Sequence, residues 1–300
     1  MKFFYQIVLI IFVANNVSAQ WGSTVPYQSL INVNPSFAGS NGNMRNQTLL
    51  YSQKELFTNY TTFNNTFDAY LSGLKSGVSL KTNYSSDNGS QKSTSGSVSY
   101  SKYFLIGNNL KIIPSLQLGY TVQELNLGSH STSIFIVPGT NSSWVRSEYF
   151  SLSSGLLVNY KNFYVGMSVF NLNRPDIGFF DSYRTPALYR LHASYNIKVS
   201  DNFLLNLFGQ IDKQNNYYNS LLAMNVLCFK HLIYGVGFQS KTFASMNAGY
   251  RSNYFTVQLG CNWNINGWIS ESPGDSWQLM LSFNLRNKEL RNSLTNFEAW

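Results

Sequence analysis

Every second residue from Leu110 reads Leu110, Ile112, Pro114, Leu116, Leu118, Tyr120 and Val122, and the residues between are Lys111, Ile113, Ser115, Gln117, Gly119, Thr121 and Gln123. Such alternation belongs to a strand, because successive side chains of a pleat point to opposite faces. The apolar face runs on for longer than an ordinary strand of about five or six residues. It meets the roughly nine to eleven residues that a tilted strand needs to cross a hydrocarbon layer. A chain that repeats this unit puts its outer face in lipid, and its sheet must then close, because no strand edge can be left open in hydrocarbon.

The unit repeats. Strands are expected over about 46–54, 59–70, 75–86, 92–104, 109–124, 146–159, 162–171, 186–199, 202–212, 217–228, 231–241, 243–251, 253–265 and 276–286. These make about fourteen, each of a length suited to a tilted membrane strand. The connections sort by length. Short turns fall at Ser72-Gly73, Gly107 to Asn109, Tyr160 to Asn162, Ser200 to Asn202, Phe229 to His231 and Arg251 to Asn253, all after even-numbered strands. The long connections, Ser85 to Gln91, Leu125 to Val145, Asn173 to Thr185 and Asn266 to Asp275, all follow odd-numbered ones. Short periplasmic turns and longer extracellular loops are the asymmetry of an outer-membrane barrel. The expected fold is therefore all-β: an antiparallel transmembrane β-barrel.

Composition agrees. Of 300 residues only 11% are charged and 16% are aromatic, with 20 Tyr and 22 Phe, against a usual charged share of about 25%. Beyond the N-terminus no apolar run reaches the roughly 18 residues of a spanning helix. A soluble β-sandwich rich in Ser and Asn shares this composition but has no reason to sort its loops. Tyr51, Tyr60, Tyr100, Tyr103, Tyr149, Tyr254, Trp263 and Trp277 lie near strand ends and suit the interfacial girdles.

Residues 1–19 read as a secretory signal: Lys2, an apolar core from Phe3 to Val13 and a Val17-Ser18-Ala19 cleavage site, with Gln20 as the mature N-terminus. Residues 20–45 form a periplasmic lead-in without strand period, 46–286 the barrel, and 287–300 a periplasmic tail. The lead-in is either a surface run or a segment docked in or under the barrel, in which case Phe37 needs a pocket. Leu290, Leu294 and Phe297 give the tail a short amphipathic pattern. Cys228 and Cys261 lie in separate strands without metal-ligand spacing and read as free thiols. The net charge of +8 is scattered, which argues against nucleic acid.

No enzyme pattern emerges. His130-Ser131 and His192 with Ser194 are the nearest approaches to a nucleophilic dyad, and in so serine-rich a chain they are expected by chance. His192 reads as a hydrogen-bonded lumenal residue. Carboxylates are too few for a calcium cage or a glycosidase pair, no cofactor is implied, and glycines such as those of GYTVQ precede no phosphate-binding helix.

One motif stands apart. Asn34, Pro35, Ser36, Phe37, Ala38, Gly39 and Ser40, followed by Arg45-Asn46-Gln47, resemble the opening of the PorP/SprF family of type IX secretion system outer-membrane proteins of Bacteroidota. Ser36 stands for that family's first Ala and Thr48 for its Trp. The resemblance implies a non-enzymatic outer-membrane component that supports export or surface anchoring of a large adhesin through a type-B C-terminal sorting domain, often in gliding motility. The implied partners are outer-membrane lipid, the adhesin, and other secretion or gliding-motor components. Asn34, Pro35, Phe37, Ala38, Gly39, Arg45 and Gln47 are the candidate site residues, with a structural or partner-docking role. The alternative is an outer-membrane pore for small solutes. No ring of charge lines the polar faces of the clearest strands, so nothing points to ion selectivity.

Overall fold

The computed structural model describes residues 29–54, 59–87, 90–107, 109–126, 144–240, 243–265 and 275–285. The expected signal segment, the tail 287–300 and the His130-Ser131 pair lie outside the described residues.

The strands are β1 Met44–Lys54, β2 Asn59–Leu71, β3 Ser76–Asp87, β4 Gln91–Lys102, β5 Phe104–Ile106, β6 Leu110–Asn126, β7 Trp144–Tyr160, β8 Phe163–Phe170, β9 Leu188–Lys198, β10 Phe203–Gln214, β11 Tyr217–Cys228, β12 Leu232–Gln239, β13 Phe243–Arg251, β14 Phe255–Asn264 and β15 Ser276–Leu285. β4 and β5 both pair with β6 and form one stave broken at Tyr103. Fourteen antiparallel staves result, and the ring closes by pairing β1 with β15 from Met44↔Leu285 to Gln53↔Ser276.

The wall is inside out relative to a soluble protein. Outward side chains such as Leu116, Leu118, Leu191, Leu259 and Phe283 are exposed, Leu118 at 66% and Phe150 at 71%. So continuous an apolar belt needs lipid over it. The inward positions of the same strands are Ser, Asn, Gln and Thr, among them Ser115 and Gln117 of β6 and Asn206 and Gln210 of β10, all buried.

Four of the expected girdle aromatics depart from the sequence reading. Tyr51 and Tyr103 are buried in the lumen at 1% and 2% exposure. Tyr60 packs edge-on against Tyr51 at 6.3 Å, and Tyr149 accepts a bond from Gln123 Nε2 at 3.3 Å, so both share the polar face. The lumen offers polar partners for a phenol, as Tyr51 Oη donating to Gln53 at 2.6 Å illustrates. Tyr100, Tyr254, Trp263 and Trp277 are exposed on the outside. The connection expected over Ser85–Gln91 is shorter, because Ser85 pairs with Ser93 and Asp87 with Gln91.

Candidate functional site: the lead-in within the barrel

From Ser29 the lead-in makes one helical turn, Leu30–Val33, then a 3-10 turn, Pro35–Phe37, and reaches β1 at Met44. It lies inside the barrel, the docked arrangement of the two open to it. Asn34-Pro35 sets the local form. Asn34 is extended (φ −153°, ψ 125°), as the residue before proline prefers, and Pro35 occupies the first position of its turn, where no N–H is required.

Apolar burial divides around the turn. Ile31 and Phe37 pack with Tyr103, Ile113, Leu157 and Tyr164, while Val33 packs with Phe208, Leu221 and Ala223. Phe37 is fully buried, with Tyr164 edge-on at 5.4 Å and the His192 ring at 5.5 Å. Burying each of these apolar side chains contributes about 1.5–3 kcal/mol. Ile113 breaks the polar face of β6 where the lead-in needs an apolar contact.

Polar bonds fix the register. Asn34 Oδ1 accepts from Ser36 N–H at 2.9 Å, which orients the amide. Its Nδ2 then faces Leu156 O at 3.2 Å, Met167 O at 3.1 Å and His192 Nε2 at 3.1 Å. An amide nitrogen only donates, so His192 Nε2 is the acceptor and the ring proton sits on Nδ1. Ser36 and Ser115 share a hydrogen bond at 2.8 Å, Ser168 Oγ donates to Val33 O at 2.9 Å, and Arg190 Nη1 donates to Asn32 O at 2.9 Å. Ala38 O accepts from both Ser101 Oγ and Tyr103 Oη at 2.8 Å.

Space for these bonds comes from wall glycines. A Cβ on Gly155 would stand 2.1 Å from Asn34 Oδ1, and one on Gly166 would stand 2.5 Å from His192 Nε2. Near the end of the motif, Gly39 (φ +69°) turns the chain toward β1 and donates its N–H to Asp68 Oδ2 at 3.2 Å. Asp68, fully buried, is also the partner of Arg45 at 2.8 Å. A second buried pair, Arg190–Asp212 at 2.7 Å, joins β9 to β10 beside Asn32. Gln47, buried on β1, donates to Met280 Sδ.

The structure thus gathers Asn34, Pro35, Phe37, Ala38 and Gly39 in the lumen, with Arg45 joined to them through Asp68; Gln47 lies on the adjoining wall. Sequence reading missed Asp68, Tyr103, His192 as a latch, Arg190 and Asp212. The signal available for Asp68, Arg190 and Asp212 was charge on the polar face of a strand in a chain with few charges. His192 and Ser194 are engaged elsewhere, the first with Asn34 and the second accepting from Asn206 Nδ2 at 2.6 Å. Among the described residues no cluster of His, Cys, Asp and Glu suits a metal ion.

The chain matches the family model described as "Type IX secretion system membrane protein PorP/SprF" over residues 27–283. No curated protein sequence matches it. Among solved structures it is similar to the NanC porin (9% identity, 81% of this chain and 100% of that one, TM-score 0.43). It is also similar to the toluene transporter TodX of P. putida (8%, 81% and 89%, 0.45) and to BamA from Haemophilus ducreyi (10%, 80% and 70%, 0.44). At such identities and scores, nothing of what those proteins do is carried to this chain.

Proposed function

This chain belongs to the PorP/SprF family of type IX secretion system membrane proteins, and we propose that it is a plugged outer-membrane anchor that supports export or surface retention of an adhesin-like client. The client is held through its type-B C-terminal sorting domain, and the periplasmic side of the barrel, with the tail 287–300, contacts other secretion or gliding components.

The observation that carries this reading is the lead-in. A fourteen-stave barrel lies between small barrels filled by their own side chains and porins of about 16 to 18 strands that hold a water channel. Here the chain's own Ile31, Val33, Asn34 and Phe37 are buried against the wall, and Asn34 donates hydrogen bonds to β7, β8 and β9. A segment so specifically seated supports an anchor that keeps the membrane sealed, and it counts against a small-solute pore.

The test is a mild-detergent purification from native outer membranes, followed by mass spectrometry and planar-bilayer recording. The expected result is a large secreted protein whose C-terminal domain stays with the barrel after proteolysis, and a barrel of low conductance. A partner-free barrel with stepwise currents in its native state overturns the proposal in favour of the pore.

A further inference from the structure

The wall has one abrupt step. β7 pairs with β6 along its whole length, from Trp144 to Tyr160, but β8 covers it only from Ser154 to Tyr160. At roughly 3.3 Å per residue, residues 144–153 carry about 30 Å of strand edge beyond the end of β8.

The first rung above β8 is already filled, and the way it is filled is informative. Leu172 N–H donates to Leu152 O at 2.8 Å. The Asn173 side-chain amide accepts from Leu152 N–H at 2.9 Å and donates to Phe150 O at 2.7 Å. Those are the two bonds that a peptide unit of a neighbouring strand would make. They also show that the even-numbered residues of β7 turn their backbone groups away from β6. Above Asn173, among the described residues, no strand takes Phe150 N–H or the N–H and C=O groups of Glu148 and Arg146.

The flanking side chains state what fits there. Outward lie the exposed Arg146–Glu148 pair at 2.7 Å and Phe150, whose ring sits 4.9 Å from that of Tyr120. Inward on the same strand lie Ser147, Tyr149 and Ser151. A row of unmet donors and acceptors at strand spacing has one natural complement, a peptide backbone in extended form. Its outward residues would be charged or polar beside Arg146 and Glu148 and apolar beside Phe150, and its inward ones small and polar. The exposed charges also discourage indiscriminate edge pairing. The edge stands on the long-loop rim, the extracellular side on which an exported protein arrives.

We propose that the β7 edge from Arg146 to Phe150 is a strand-addition site for an extended segment of the exported client; this rests on the anchoring reading above. Arg146→Pro and Glu148→Pro each remove one outward N–H and leave the β6 ladder intact, because proline is tolerated where its missing N–H faces away from the partner strand. Ser147→Pro instead breaks that ladder and serves as the misfolding control. Arg146→Gln and Glu148→Gln keep the backbone and remove the charge. A photo-crosslinking residue at position 146 reports the neighbour.

The expected result is that both outer proline variants keep the heat-modifiable gel mobility of a folded barrel and retain about tenfold less client. The glutamine variants should retain client as wild type does, and the crosslink should fall on one extended segment of it. Undiminished client on folded proline variants overturns the inference and leaves the anchoring proposal standing. So does a crosslink to residues 127–143 of the same chain or to a second copy. A wild-type barrel that carries no client overturns both.

Discussion

A Cβ on Gly39 would stand 2.7 Å from Gly77 Cα, and a Cβ on Gly77 would stand 1.9 Å from the Ala38 carbonyl oxygen. The lead-in and β3 therefore meet backbone to backbone, and the contact exists only while both positions lack side chains. Gly77→Val is expected to displace the lead-in with the staves still paired, since the position faces the lumen and keeps its N–H. Gly39→Ala adds left-handed backbone strain of about 1–2 kcal/mol to the clash. For both variants, bilayer recording should show conductance above wild type, with a lower thermal midpoint.

Asn34→Asp replaces the donating amide nitrogen by an oxygen that faces Leu156 O and Met167 O. Three acceptors, Leu156 O, Met167 O and His192 Nε2, lose their donor and a carboxylate is buried beside them, an expected loss of about 3 kcal/mol in docking. Hydrogen exchange of the 31–41 amides should rise roughly a hundredfold in this variant, with the barrel amides unchanged. Unchanged protection of the lead-in would show that the apolar contacts alone hold it.

The Arg190–Asp212 pair is buried, its side chains 11% and 7% exposed. Asp212→Leu leaves a guanidinium without its bidentate partner and should destabilise the folded barrel by about 3 kcal/mol. The double variant Arg190→Met with Asp212→Leu should recover part of that loss, because no charge is then stranded. Urea unfolding in detergent micelles, with the Arg190→Met single variant alongside, measures the cycle, and losses that simply add would exclude coupling between the two residues.

Asp176, in the loop between β8 and β9, accepts from Ser182 Oγ at 2.5 Å, Gly178 N–H at 3.0 Å and Tyr183 N–H at 2.8 Å. The Ser182 bond first, then the two backbone bonds, hold its carboxyl below the usual 3.8. A depressed carboxyl stabilises the loop above the pKa of the unfolded chain, and that stability disappears as pH falls through the lower folded value. Intrinsic-rate-corrected exchange at Gly178 and Tyr183 should therefore be flat from neutrality down to about pH 4 and rise in stronger acid. Asp176→Asn should show the raised exchange at neutral pH.

The architecture was legible because a lipid-facing strand writes its orientation into alternate residues, and a shift by one residue would reverse both faces. Leu116 and Leu118 face out and Ser115 and Gln117 face in, as the alternation requires. What alternation cannot convey is which inward positions meet the lead-in. Tyr51 and Tyr103 look like girdle aromatics in sequence, yet both are buried in the lumen, Tyr103 with its hydroxyl on Ala38 O. Gly155 and Gly166 look like ordinary strand glycines, although side chains there would collide with Asn34 and His192. The motif residues were visible, but the partners that explain them lie 122, 133 and 158 positions further along.

That separation sets an order of events during assembly. Asn34 leaves the ribosome and crosses the inner membrane well before His192, so the latch between them cannot form until β9 has arrived. Contacts so remote in the chain are slow to form, because loop closure must precede any gain from the contact. β1 adjoins the lead-in at Met44 and finds its second neighbour only in β15, the last strand among the described residues. Seating of the lead-in and closure of the ring therefore both wait on distant strands, and until those arrive the motif that later docks in the lumen is an unprotected stretch of chain, open to periplasmic chaperones and proteases.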